Sequence, residues 1–389
     1  MIRLLTFLVF STFLFACGKD DDGGGTTLPT VTIDHLTRFE GNEDNTFDFS
    51  VRLSAASKEQ VSVDYETEDR SAEAGDDYEA TSGTLVFSPG ETQKVVSVLV
   101  YGDTLKEGDE EFNLKLLNPV NCELSSSGAI GTIRNDDTYL PVDDQGYVTP
   151  DSYAGWNLVW RDEFNGTTID PANWKHETGN HGWGNNELQY YTDRPDNSYI
   201  SDGKLVIEAK KENFGGSQYT SARMISAGLQ EFQYGRIDIR AKLPEGKGIW
   251  PALWMLGSDF WTTGWPNCGE IDIMEIVGHE PSTVHGTAHW GDFSGNHVSY
   301  GNSTTLSSGK FSDEFHVFTI IWDNEKIRWF LDDNLYNTLD ITPSALSEFH
   351  QPFFFIFNIA VGGNWPGSPD GTTVFPQYMY VDYIRVFQQ

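Results

Sequence analysis

Basic residues are scarce in this chain: 25 Lys and Arg stand against 58 Asp and Glu in 389 residues, a net charge of 25 − 58 = −33. Such an acidic surface is repelled by phosphate backbones and argues against nucleic acid as a partner. Cysteine is nearly absent, at three residues. Long apolar runs are lacking too: Leu4 to Ala16 falls well short of the roughly 20 residues of a membrane-spanning helix. Convincing amphipathic helical patterns are missing, Pro343 to His350 being the best short one. Tryptophan is absent before Trp156, and all 12 Trp lie between Trp156 and Trp365. The acidic N-terminal part and the Trp-rich C-terminal part are therefore expected to be separate domains with separate tasks. With 38% hydrophobic and 14% aromatic residues, the bulk is globular and not a disordered acidic tail.

Residues 1–16 read as a targeting segment to be cleaved, with Arg3 preceding the apolar run. The run ends in Leu14-Phe15-Ala16-Cys17, which resembles the bacterial lipobox and implies lipidation of Cys17. Residues 17–27 form a tether, in which Lys19 and Asp20 to Asp22 resemble the export tag of bacterial surface lipoproteins. The expected location is the outer membrane, lipid-anchored and facing the cell surface. With Cys17 carrying lipid, Cys122 and Cys268 fall in different domains, so no disulfide is expected despite an oxidising compartment.

Residues 28–137 hold seven short strand-like runs separated by turn residues, several alternating in period two, as in Phe47-Asp48-Phe49-Ser50-Val51. That pattern predicts an all-β sandwich. No nucleophile–base arrangement is visible, and His35 is its one histidine, so the module reads as a spacer or adhesion unit. The phrases Ala74-Gly75-Asp76-Asp77-Tyr78, Phe87-Ser88-Pro89-Gly90-Glu91, Glu107-Gly108-Asp109-Glu110 and Gly131 to Asp137 resemble a Calx-beta domain, an immunoglobulin-like sandwich. The resemblance implies that Glu40, Asp76, Asp103, Glu107 and Asp136 are candidate Ca²⁺ ligands, all hard oxygens. Acidic loops that merely keep a spacer soluble are the competing reading.

Residues 138–155, with Pro141, Pro150 and scattered Asp, read as a linker. Residues 156–389 then continue as an unbroken succession of strands, which predicts a large two-sheet sandwich able to bend into a groove. The chemistry sits in Gly269-Glu270-Ile271-Asp272-Ile273-Met274-Glu275-Ile276. Burying three carboxylates along an apolar strand costs several kcal/mol unless they share protons, meet cations or face water. Alternation puts Glu270 and Asp272 on one face, and Glu275 returns to it if one extra residue forms a β-bulge at Ile273-Met274.

Two carboxylates about 5 to 5.5 Å apart suit a retaining glycosidase, and about 6.5 to 9.5 Å an inverting one. So short a motif leaves little space for the inverting water and favours retention. Glu270 is then the nucleophile, and Glu275 the general acid/base, its pKa raised by neighbouring negative charge. Asp272 lies between them, placed to share a proton with Glu270. On the triplet alone, a calcium site or a solvated sheet face competes. Trp250, Trp254, Trp261 and Trp265 before it, and His285, His289 and Trp290 after it, favour a sugar-binding groove.

Glu270 to Glu275 resembles the bulged signature of glycoside hydrolase family sixteen. Trp183 to Tyr191, Gly248 to Trp254, His285 to Trp290 and the closing Met379 to Phe387 are similar to its laminarinase branch. The resemblance implies a β-jelly-roll with a concave substrate cleft, so the expected fold class is all-β, an immunoglobulin-like sandwich followed by a jelly roll. It implies an endo-acting, retaining cleavage of β-1,3-glucans with no cofactor for catalysis. By the family pattern Glu270, Asp272 and Glu275 are catalytic; Asn185, Arg223, Trp250 and Trp254 line the non-reducing side; His289 lies beside the carboxylates; and Gln377 contacts sugar. A structural Ca²⁺ is implied at Glu163, Gly203 and Asp382. A structural salt bridge remains open for Arg223, and a core role for His289. The expected partners are a β-glucan and, through Cys17, a membrane, and the expected state is monomeric. An enzyme of the same fold acting on a mixed-linkage β-1,3-1,4-glucan or a marine galactan, and a non-catalytic glucan receptor, are the alternatives.

Overall fold

The structure is a computed structural model describing residues 27–389; the targeting segment and Cys17 lie outside these residues. The described chain divides into two compact units at Asp137/Thr138.

In the N-terminal unit, Asn45–Leu53 alternates buried and solvent-facing residues as a half-buried strand must. A four-stranded sheet runs Gln93–Val100, Asn45–Leu53, Thr30–Ile33, Glu123–Leu124. It packs on a five-stranded sheet ordered Leu36–Phe39, Gly128–Arg134, Glu110–Val120, Val61–Asp69, Ser82–Phe87. Phe47, Phe49 and Tyr78 gather their rings around Phe112 at the centre. All seven expected strands are present. The two that sequence patterning missed, Leu36–Phe39 and Glu123–Leu124, are too short to show a period.

The C-terminal unit is a sandwich of two eight-stranded sheets. The back sheet runs Ser198–Ser201, Lys204–Ala209, Gln377–Gln388, Gly235–Lys242, His316–Trp322, Lys326–Leu331, Asn334–Asp340, with Asn157–Asp162 also on Gln377–Gln388. The front sheet runs Lys175–His176, Arg223–Ile225, Phe353–Val361, Ile249–Gly257, Glu270–Glu275, Thr283–Gly291, His297–Thr305, with Glu231–Phe232 on Phe353–Val361. Leu205, Ile207, Ile237, Ile239, Leu253, Met255, Phe355 and Phe357 fill the space between them. Phe353–Val361 is buried along its whole length, so it reads as a continuous apolar run without alternation. Pro343 to His350 forms a short 3₁₀ segment, Ser344–His350, kinked at Leu346.

Residues 138–155 are not the free linker that their Pro and Asp content predicted. They lie against the back sheet and belong to the C-terminal unit. The Tyr147 amide donates to the Phe315 carbonyl, the Thr149 amide to the buried Tyr383 hydroxyl, and the Tyr153 hydroxyl to Asp238. Loop composition marks the lack of a repeating backbone pattern, and the strap's own side chains and amides supply its partners one by one.

Candidate active site

Strand Glu270–Glu275 carries the bulge that the spacing required. Against Ile249–Gly257 the register runs Leu253 opposite Met274 and then Trp254 opposite Asp272, leaving Ile273 as the extra residue. Ile273 and Met274 both enter the core, and Glu275 returns to the face of Glu270 and Asp272. Support from below comes from Trp329, whose Nε1 donates 2.8 Å to the backbone carbonyl of Asp272. A Cβ at Gly286 would collide with the Trp329 ring and the Tyr336 hydroxyl, so glycine there permits this close packing.

The three carboxylates lie in a cleft of about 950 Å³ lined by Trp183, Trp250, Trp254, Trp265 and Trp365 among others. Trp265 Nε1 donates 3.0 Å to Glu270 Oε2, and Trp250 Nε1 donates 3.0 Å to Glu275 Oε1. His289 Nε2 lies 3.1 Å from Asp272 Oδ2 and 3.6 Å from Glu270 Oε1. His289 therefore faces carboxylates and is no core histidine on a backbone carbonyl.

Burial pushes Glu270 well above the usual carboxylate range, with the Asp272 charge adding to it and His289 and the Trp265 N–H opposing it. Asp272 and Glu275 are each pushed up to about 8, again mainly by burial. Neighbouring charge, the expected cause for Glu275, comes second through Asp272; desolvation leads. Such a trio holds protons in common at neutral pH.

On one side of the trio, Arg223 lies between the Trp183 and Trp254 rings, 4.9 and 4.8 Å from their centroids, and donates 2.7 Å to Glu177. It is a salt-bridged residue and a cleft wall at once. Trp254 Nε1 donates to Asn358, Asn358 donates to the Tyr191 hydroxyl, and that hydroxyl donates to Glu187, at 2.7, 3.1 and 3.1 Å. Asn185 also lines the cleft. A buried hydrogen-bond chain of this kind fixes the Trp254 ring before any ligand arrives. Sequence reading missed Glu177, Asn358, Trp365 and His297 as cleft residues. Trp365 at least was visible among the crowded Trp; His297 gave no signal.

Three expectations fail. Trp261 and Trp290 do not line the cleft: Trp261 stacks on Phe354, and Trp290 packs in the core. Gln377 stands on the back sheet, opposite Ala209, where its Oε1 accepts the Glu245 amide; it is no part of the cleft. Glu163, Gly203 and Asp382 do not fit a calcium ion. Both Glu163 oxygens accept from Arg385, at 2.7 and 2.8 Å, and Asp382 faces Arg240 at 2.8 Å and Lys204 at 3.1 Å. A further divalent cation would meet like charge there. Gly203 serves a different need: with Asp202 it makes the positive-φ turn between Ser198–Ser201 and Lys204–Ala209.

The N-terminal unit does bring carboxylates together. Oxygens of Glu40, Asp136 and Asp137 lie within 4.8 Å of one another, a spacing that suits a cation. Burial pushes Glu40 up to about 7, opposed by the Asn135 hydrogen bond and reinforced by Glu107, Asp137 and Asp103. Asp77, not the expected Asp76, faces this group, through Glu107 and Glu110. Cys122 and Cys268 are both buried and free.

Comparison with known proteins agrees with this geometry. The family model for glycosyl hydrolases family 16 matches residues 185–385, and that for the Calx-beta domain residues 29–137. A beta-glucanase of Rhodothermus marinus is 45% identical over 254 residues, covering 61% of this chain and 87% of that protein. A glucan endo-1,3-beta-glucosidase of Cryptopygus antarcticus is 40% identical, covering 56% and 84%. The laminarinase catalytic domain of Thermotoga maritima superposes with a TM-score of 0.56 at 49% identity, covering 60% of this chain and 98% of that one. With its bulged carboxylate strand, its Trp-lined cleft and these matches, the chain belongs to glycosyl hydrolases family 16, with a Calx-beta domain at its N-terminal side.

Proposed function

We propose that this protein is an endo-acting, retaining glycoside hydrolase that cleaves internal β-1,3-glucosidic bonds of laminarin-type glucans. The observation that carries the reading is the bulge, which sets Glu270, Asp272 and Glu275 on one face of a Trp-lined cleft; the names borne by the relatives give the linkage. In the first step a Glu270 oxygen attacks the anomeric carbon while Glu275 gives its proton to the departing glycosidic oxygen. In the second, Glu275 takes a proton from water, and that water's oxygen displaces Glu270, restoring the β configuration. Burial keeps Glu275 protonated for the first step, and the Trp265 N–H and His289 favour the charged form of Glu270. Asp272 takes up the proton that Glu270 must shed.

Trp183, Trp250, Trp254 and Arg223 form the wall for the sugars on one side. A calcium ion at Glu40, Asp136 and Asp137 would discharge the N-terminal cluster. Leu14 to Cys17 supports lipid anchoring at the bacterial outer membrane, where the Calx-beta unit serves as a spacer.

The test is incubation of the Cys17-truncated protein with laminarin, lichenan and agarose, following reducing ends and anomeric configuration by NMR. Laminarin cleavage releasing β-anomers first, lost in Glu270→Ser, is the expected result. Cleavage of agarose alone would transfer the protein to a galactan, and binding without cleavage would make it a receptor.

A further inference from the structure

The hairpin of Thr283–Gly291 and His297–Thr305 places one histidine behind another. His289 pairs with Ser299 and Gly291 with His297, so the two histidines are diagonal neighbours on one face. Their rings lie 5.0 Å apart at 23°, with His289 Nδ1 2.8 Å from His297 Nε2. His297 also lies against Trp265, ring centroids 4.7 Å apart. Both of its neighbours reach Glu270, His289 toward Oε1 and Trp265 at Oε2.

We infer that His297 is a positioning residue for the cleavage chemistry: its Nε2–H donates to Nδ1 of His289 and fixes the His289 tautomer whose Nε2–H faces Asp272 and Glu270. The inference rests on the hydrolase reading above. A neutral imidazole has one donor and one acceptor nitrogen. Were the His289 proton on Nδ1, its Nε2 lone pair would face two carboxylates, and Asp272 Oδ2, buried and without a well-aligned partner, would lose its nearest donor. With His297 donating, the proton of His289 lies on the side where it is needed. The outer contact thus sets what the inner nitrogen offers, as hydrogen-bond partners behind a ligating histidine do in metal sites. Loss of solvent around its ring holds His297 below the ordinary histidine range, which favours the neutral ring that a single Nε2–H donor requires.

Two substitutions separate the hydrogen bond from the ring packing. His297→Phe keeps an aromatic ring against Trp265 and removes the N–H; His297→Gln keeps an N–H donor. On laminarin, His297→Phe is expected to lower kcat roughly ten-fold with KM within about two-fold, and His297→Gln to stay within about three-fold of wild type. In the full chain labelled with ¹⁵N-histidine, the wild-type His289 should show the Nε2–H pattern, lost in His297→Phe and kept in His297→Gln. Wild-type kcat in His297→Phe, or an Nδ1–H pattern for His289 in the unmodified protein, overturns the inference. Should the wild type cleave none of the polysaccharides, the hydrolase reading fails, and the nitrogen spectra still decide the tautomer. If His297→Phe does not fold, His297→Leu supplies the donor-free variant.

Discussion

Among the described residues, carboxylates gather in the cleft and at one end of the N-terminal sandwich, and they are relieved differently. At one end of the N-terminal sandwich, Glu40, Asp136 and Asp137 come from loops and strand ends and turn their oxygens toward one another. In the cleft, Glu270, Asp272 and Glu275 come from one bulged strand, and indole and imidazole nitrogens meet them. Burial raises the pKa in both. A raised carboxyl pKa therefore does not by itself identify a catalytic acid; what surrounds the oxygens does. Directed N–H donors, one aimed at each glutamate, can assign separate roles to two otherwise equal carboxylates. The loop cluster receives N–H donors too, from Asn135 to Glu40, the Gly41 amide to Asp136 and Asn42 to Asp137, but these are loop amides in a unit without a single Trp, and its acidic oxygens suit a spherical cation.

The largest effect expected from breaking this contrast is on catalysis. Glu275→Gln should lower kcat on laminarin by roughly 10²- to 10⁴-fold, whereas Glu40→Gln should leave it unchanged. Equal losses in initial-rate assays would end the distinction. Next comes the response to calcium. With Glu40 raised to about 7, the folded N-terminal unit loses stability as pH climbs through that value. Calcium should therefore raise its melting temperature by about 5 °C at pH 8 and less at pH 5, as calorimetry would show.

Asp272→Asn should act in the opposite unit with a smaller shift. Asp272 is raised to about 8, so its cost to folding is least at low pH and grows as the pH approaches 8. The variant should gain roughly 3 °C at pH 8 and less at pH 5, measured in the same scans. The smallest effect belongs to the back sheet: chelation should move the melting of the C-terminal unit by less than about 1 °C, because protein cations already hold Glu163 and Asp382. A clear drop would restore a metal there.

What the sequence could show depended on distance along the chain. Glu270, Asp272 and Glu275 lie within one strand, so period-two arithmetic alone demanded the bulge. Glu163 and Arg385 are 222 positions apart, and no local pattern reveals that an arginine donates to both Glu163 oxygens. Gln377 had the polarity of a sugar ligand, and only the sheet topology puts it on the far face. His297 looked like any hairpin residue, since its meaning lies in a ring across the strand pair.

The strap of residues 138–155 carries a mechanical consequence. A pull along the chain from the N-terminal side reaches the C-terminal unit first at this segment. Its bonds to Phe315, Tyr383 and Asp238 hand the load to back-sheet strands and the loop beside them. The strand bearing Glu270 is not among them, so tension on a tether would be borne without shearing the cleft.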